Sequence, residues 1–193
     1  MRNGSEKQAM SIPWAMEMKA VSAVDPSRLV QTLTGAILAS GGWVLSRGAN
    51  DSGMPLAVAG TVYSVNGNIL QDATLEIWQT DNAGHYDNQG YLYRAIMKPD
   101  GKGGYAFESV LPGHYPARVA QHVHYLVTAP GHKPITTQLY FATDPVFQGD
   151  PDKNMKADPL ITSRELIRAV VIKGDPGTHI VAAVNFDIVL EKA

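Results

Sequence analysis

From residue 54 to the C-terminus the chain alternates apolar and polar positions in short runs separated by turn residues. The runs read LAVAGTVYS (56–64), closed by the turn VNGN, then ATLEIWQT (73–80), GGYAFESV (103–110), HVHYLVTA (122–129), ITTQLYFA (135–142), LIRAVVIKG (166–174) and THIVAAVNFDIVL (178–190). Period-two runs punctuated at such intervals predict the strands of a mainly β domain, an antiparallel sandwich or barrel. In the last run Ile180, Ala182, Val184, Phe186, Ile188 and Leu190 fall on one face, as a core-facing strand requires. Long irregular connections are expected between Thr80 and Gly103 and between Thr143 and Thr162. Loops of that length in a compact domain are usually functional or disordered.

Ahead of the strands the period changes. DPSRLVQTLTGAILASGG offers Asp25 as N-cap, Pro26 at the first helical position, Leu29, Leu33 and Ile37 on one face, and Gly41-Gly42 as a stop. Residues 1–24 have no steady period and read as an arm. The expected organisation is therefore an N-terminal arm and short helical segment over 1–53 and a β-sandwich over 54–193. Trp14 and Trp43 would mark an oligomer contact or pin the arm to the sandwich.

Composition narrows the function classes. A chain of 193 residues, 45% hydrophobic and 18% charged, can bury a full core without a metal or disulfide to hold it. With a formal charge of −2 and no stripe of Lys or Arg, it lacks the surface that displaces counterions from nucleic acid, and no nucleic-acid partner is expected. There is no cysteine, so a metal must be held by nitrogen and oxygen. The stretch from Gly35 is too short and glycine-broken to span a bilayer, so no membrane partner is expected. Glu6, Lys7, Glu17 and Lys19 interrupt any apolar leader core, and a soluble, cytoplasmic protein is the expectation.

The candidate chemistry begins with His122 and His124. Alternate residues of a strand share a face, so the two rings project together from backbone positions about 7 Å apart and can reach one ion. The same spacing also fits two satisfied or half-exposed histidines. No carboxylate follows in HVHYLVTAPGHK, which removes the familiar small-barrel metal site. Tyrosines surround the pair instead, Tyr115 in PGHYP and Tyr86 in AGHY. A phenol, with a pKa of about 10, becomes a ligand only beside a strongly charged hard cation, and two His with two Tyr suit ferric iron. Spacing alone does not choose Tyr86 over Tyr91 or Tyr93.

The segments LEIWQTDNAGHYDN, PDGKGGYAFESVLPGHYP, HVHY and TTQLYFATDP, in this order, resemble the intradiol ring-cleavage dioxygenases of the protocatechuate 3,4-dioxygenase type. The resemblance implies a prealbumin-like sandwich core and non-haem Fe(III) held by Tyr86, Tyr115, His122 and His124. It implies a catechol-type substrate and O2, with cleavage between the two hydroxylated carbons to give a cis,cis-muconate-type diacid. Tyr115 then matches the ligand that leaves with a catechol proton, Arg118 the arginine that stabilises electron-rich substrate carbon, and Gln138 a glutamine of the same pocket. Alternation agrees with the last, because Thr136, Gln138 and Tyr140 share a face opposite Ile135, Leu139 and Phe141.

Two departures stand out. The family places arginine three residues before the first histidine, whereas Arg118 lies four before His122. Only one helix precedes the sandwich, unlike the large helical segment of the catechol 1,2-dioxygenase branch. The protocatechuate enzyme's second chain helps hold substrate; here such contacts would come from the chain itself or a homo-oligomer, and a homo-oligomer is expected. Of the remaining candidates, Trp78 reads as packing, Asp144 and Asp150 as solvated, and His85, His114, His132 and His179 as loop or surface residues. The framework alone would also serve a non-enzymatic prealbumin-like binding module.

Overall fold

A computed structural model describes residues 43–44, 53–172 and 182–193. The helix expected over 25–40, Trp14, His179 and Ile180 lie outside these residues. The protein is mainly β. One sheet takes β1 (Trp43–Val44), β5 (Gly104–Val110), β2 (Pro55–Ser64), β10 (Ala182–Asn185) and β9 (Val171–Ile172) in that order, with β11 (Ile188–Leu190) also paired to β2. The other runs β4 (Arg94–Met97), β3 (Thr74–Trp78), β6 (His122–Thr128), β7 (Ile135–Phe141) and β8 (Ile167–Arg168). Among the described residues helix is confined to α1 (Pro151–Asn154) and three-residue 3-10 turns, and no helix is long and apolar enough to cross a membrane.

Both sheets are mixed, which corrects the antiparallel expectation. Strand β1 runs parallel to β5, β10 and β11 parallel to β2, and β8 parallel to β7. Period-two alternation reports which side a residue faces and carries no information on strand direction. Parallel neighbours need a crossover, and the connection from Phe141 to Ile167, with its short helical turns, supplies one between β7 and β8.

The other differences have local causes. The run LIRAVVIKG splits, because β8 pairs with β7 in one sheet and β9 with β10 in the other. The final run breaks at Phe186 and Asp187, where the Phe186 amide donates to Ala59 O (2.8 Å) and the Asp187 carboxylate accepts from the Thr61 amide (2.8 Å). Its predicted face survives the break, since Ala182, Val184, Phe186, Ile188 and Leu190 all enter the main core. Strand β4 lies inside the connection expected to be irregular.

One core joins the two sheets: Leu56, Val58, Val62 and Phe107 from the first meet Leu75, Ile77, Val123, Tyr125, Val127 and Leu139 from the second. On the far side of β7 a smaller core of Ala120, Tyr140, Phe147, Ile161 and Ile167 packs the 143–166 connection against the sheet. That connection is therefore built structure.

Two loops at the end of the second sheet are clipped together. Gly113 donates to Asp81 O (2.8 Å) and the Thr80 hydroxyl to Gly113 O (3.1 Å). Gly84 completes the clip at φ 86, and a Cβ there would stand 1.9 Å from His114 O. Gly67, in the VNGN turn, has a similar φ of 82 with nothing within 4 Å. A left-handed non-glycine residue costs about 1–3 kcal/mol from backbone strain alone. Gly84→Ala should therefore destabilise the protein by more than Gly67→Ala, and urea denaturation of the two variants measures the excess due to the clip.

Candidate active site

Strand β6 sits between β3 and β7 with burial alternating along it. Val123, Tyr125 and Val127 point into the main core, so His122 and His124 must point to the opposite face. Tyr125 carries its hydroxyl into that core, ring against Tyr105 at 6.2 Å between centroids, on the face away from the histidines.

The tyrosines come from the clipped loops. Tyr86 lies between two aspartates that organise its backbone: Asp81 accepts from the amides of Ala83 (2.9 Å) and His85 (2.8 Å), and Asp87 from those of Gln89, Gly90 and Leu92. Tyr115 follows Gly113 in the facing loop. Of the tyrosines near AGHY it is Tyr86 that reaches the histidines, whereas Tyr91 is exposed over Arg94 and Tyr93 is buried at φ 55.

Four donor atoms then close a ring. Tyr86 Oη is 2.9 Å from His124 Nε2, His124 Nε2 is 3.0 Å from His122 Nε2, His122 Nε2 is 3.5 Å from Tyr115 Oη, and Tyr115 Oη is 3.4 Å from Tyr86 Oη. Ligands about 2.0–2.2 Å from one ion and roughly at right angles stand roughly 3 Å apart, so the ring has the size of a coordination shell. His122 Nδ1–H donates to Ala120 O at 2.7 Å, which leaves the Nε2 lone pair facing the centre. Burial first, then the neighbouring His122 and Arg118, push the His124 pKa down to about 3, so it too is a neutral donor. Burial is also the main cause that raises the Tyr86 phenol above its ordinary value, so its ionisation calls for a cation at the ring's centre. Among the described residues no three His, Cys, Asp or Glu side chains gather as a metal group, so an ion here would draw on the phenol oxygens.

Beside the ring, Arg118 is nearly buried. Its Nη2 donates to Gln138 Oε1 (2.7 Å) and Tyr140 Oη (2.6 Å), and its Nε to the carboxylate of Asp158 (3.0 Å), a residue with no exposed surface. Gln138 faces His124 across β7 and β6, and Tyr140 also donates to Gln138 Oε1. Arg118 folds back on Tyr115, its amide donating to Tyr115 O (2.9 Å). Asp158, sent in from the 143–166 connection, has no motif around it and no periodic position, and the sequence gives no signal for it.

Asp144 corrects an expectation. Its side chain is fully buried, accepting from His114 Nε2 (2.9 Å), the Gln121 amide (2.6 Å) and the Val146 amide (2.9 Å). It thereby ties the residue before Tyr115 and the residue before His122 to the end of β7. Buried polar groups of this kind must be paired, and here two of the three partners, the His114 ring and the Gln121 amide, are brought close only by the fold. Asp150 stays part-exposed and caps α1 through the Lys153 amide. His85 is exposed, as expected. Trp78 lies against the ring, stacked on His124 with centroids 4.8 Å apart and planes 1° apart. A cavity of about 380 Å³ opens here, its walls including Trp78, Tyr86, Leu92, Arg94, Tyr115 and His124.

Comparison with known proteins places the chain in a family. The dioxygenase family model matches residues 34–192. Hydroxyquinol 1,2-dioxygenase of Nocardioides simplex is 32% identical over 167 residues, 74% of this chain and 56% of that protein. Catechol 1,2-dioxygenase 2 of Acinetobacter lwoffii is 29% identical over 52% of this chain and 44% of its own length. This chain thus spans about half the length of the curated relatives it matches. Among solved structures, the dioxygenase domain of a dioxygenase carbohydrate-binding protein fusion from Streptomyces sp. SirexAA-E has TM-score 0.61 and 28% identity, covering 78% of this chain and 90% of that one. Catechol 1,2-dioxygenase from Acinetobacter sp. ADP1 has TM-score 0.65 and 25% identity, covering 79% and 57%. With the family match running over most of its length, the chain belongs to the intradiol ring-cleavage dioxygenases.

Proposed function

We propose that the protein is a non-haem Fe(III) intradiol dioxygenase that opens a catechol-type ring between its two hydroxylated carbons with O2, giving a cis,cis-muconate-type diacid. The observation that carries this reading is the closed ring of Tyr86, Tyr115, His122 and His124 donors. A binding module without chemistry has no use for four nitrogen and oxygen donors converging in a part-buried site. The single core shared by the two sheets supports the sandwich reading of the fold.

Ferric iron, when bound, supplies a Lewis acid that ionises a catechol and makes its ring reactive toward O2. The chain's own residues do the rest. Tyr115, whose oxygen stands 3.4 and 3.5 Å from its neighbours in the ring while Tyr86 stands 2.9 Å from His124, is the donor that moves aside and, as a phenolate, accepts a catechol proton. His122 and His124, fixed on β6, stay in place. Arg118 sets a positive charge beside the site, and Asp158, Gln138 and Tyr140 hold its guanidinium there, so that negative charge developing on the substrate ring is stabilised by a group already oriented. Trp78 and Leu92 wall the cavity for an aromatic ring, and Arg94 adds a polar edge that suits a hydroxylated or otherwise substituted catechol.

Loading the purified protein with ferric iron should give a red-brown tyrosinate charge-transfer band that shifts when a catechol is added without oxygen. His124→Ala should abolish iron retention and the band; a variant that keeps stoichiometric iron and turnover would remove His124 from the ligand set. A colourless wild-type protein after ferric loading would end the iron reading.

Arg118→Leu should slow turnover on the order of 10²-fold while iron stays bound. It also strands a buried carboxylate, at a cost of about 3–5 kcal/mol that a second change, Asp158→Asn, should largely recover. Steady-state kinetics and denaturation of the single and double variants test both parts.

A further inference from the structure

We propose that Trp78 is a positioning residue for His124, orienting by ring stacking the one histidine of the pair whose Nδ1 no hydrogen bond ties among the described residues. The proposal rests on the ferric reading of the site. The two histidines are held differently. His122 is fixed at both nitrogens, with Nδ1 on Ala120 O at 2.7 Å and Nε2 in the donor ring. His124 makes hydrogen-bond contacts through Nε2 alone, to Tyr86 and His122, and its Nδ1 takes no hydrogen bond among the described residues. Metal-binding histidines almost always have that second nitrogen tied down, because rotation about the bond to the ring is otherwise soft.

What replaces the tie is the strand register. Trp78 on β3 stands directly opposite His124 on β6, and the two rings lie 4.8 Å apart with planes parallel to within 1°. Turning the imidazole away from the ring of donors would drive its edge into the indole. Trp78 is itself held from the other side, because Arg94 on β4 stands opposite it and places its guanidinium carbon 5.6 Å from the indole centroid. Glu76 pins that guanidinium through Nε (3.1 Å) and Nη2 (2.7 Å). Stacking fixes the orientation of His124 without the rise in basicity that a carboxylate or carbonyl acceptor on Nδ1 would give.

The test is a titration of chelator-stripped protein with ferric nitrilotriacetate, read by the tyrosinate charge-transfer band, with far-UV circular dichroism to confirm folding. Trp78→Leu should weaken ferric affinity about 10–100-fold and shift the band, while Trp78→Phe, which keeps a flat ring, should recover most of the loss. Trp78→Met, also without a ring, carries the same expectation should the leucine variant not fold. Ring-free variants that bind iron with wild-type affinity and an unshifted band overturn the proposal, as does a phenylalanine variant no better than leucine. A wild-type protein that gives no band overturns the ferric reading first.

Discussion

The site depends on the register of β6 between β3 and β7. Because side chains of a strand alternate, burying Val123, Tyr125 and Val127 in the shared core leaves His122 and His124 no choice but the opposite face. A slip of one residue would put both imidazoles into a hydrophobic interior and two valines and a tyrosine into the cavity. The same register lines up Arg94, Trp78, His124 and Gln138 as one row across four strands. Core packing, which contributes most of the stability, thus fixes the position of polar groups that contribute little to it.

The tyrosines need a different kind of precision, since loops carry them. Hydrogen bonds internal to the loops substitute for a sheet ladder: two aspartate carboxylates gather the amides on either side of Tyr86, and Gly113 ties the second loop to the first. Both phenols are thus placed by loops braced against each other, with neither tyrosine in a strand.

Legibility in the sequence follows the range of the interactions. Five of the seven expected runs form single strands; these and the inward face of the final run were readable because alternation is local, and so was the shared face of Gln138 and Tyr140. Tyr86, Tyr115, His122 and His124 were legible as a set through residue type and family resemblance, though spacing alone did not distinguish Tyr86 from Tyr91 or Tyr93. Strand direction was not legible, nor was β4, whose four residues alternate too briefly to register as a run. Asp144 and Asp158 were the hardest, since each is buried by partners twenty or more residues away, and a lone aspartate in a turn-rich stretch reads as solvated. Trp78 was read as packing, which is half right, for the surface it packs is His124.

Electrostatics explains why these less legible residues matter. Burial keeps His124 neutral and raises the Tyr86 phenol, so these two donors carry little charge of their own. The Arg118 charge acts on Tyr86, His122 and His124 alike, and an unpaired guanidinium there would oppose the approach of a cation. Asp158 answers that charge at 3.0 Å, leaving the guanidinium oriented but locally balanced. A neutral pocket with an oriented, balanced arginine can accept a trivalent ion once phenol protons leave, and still offer a directed positive edge to a substrate whose ring gains negative charge. In the proposed reaction, Asp158 is therefore the group that lets one arginine serve a cation site and an electron-rich substrate together.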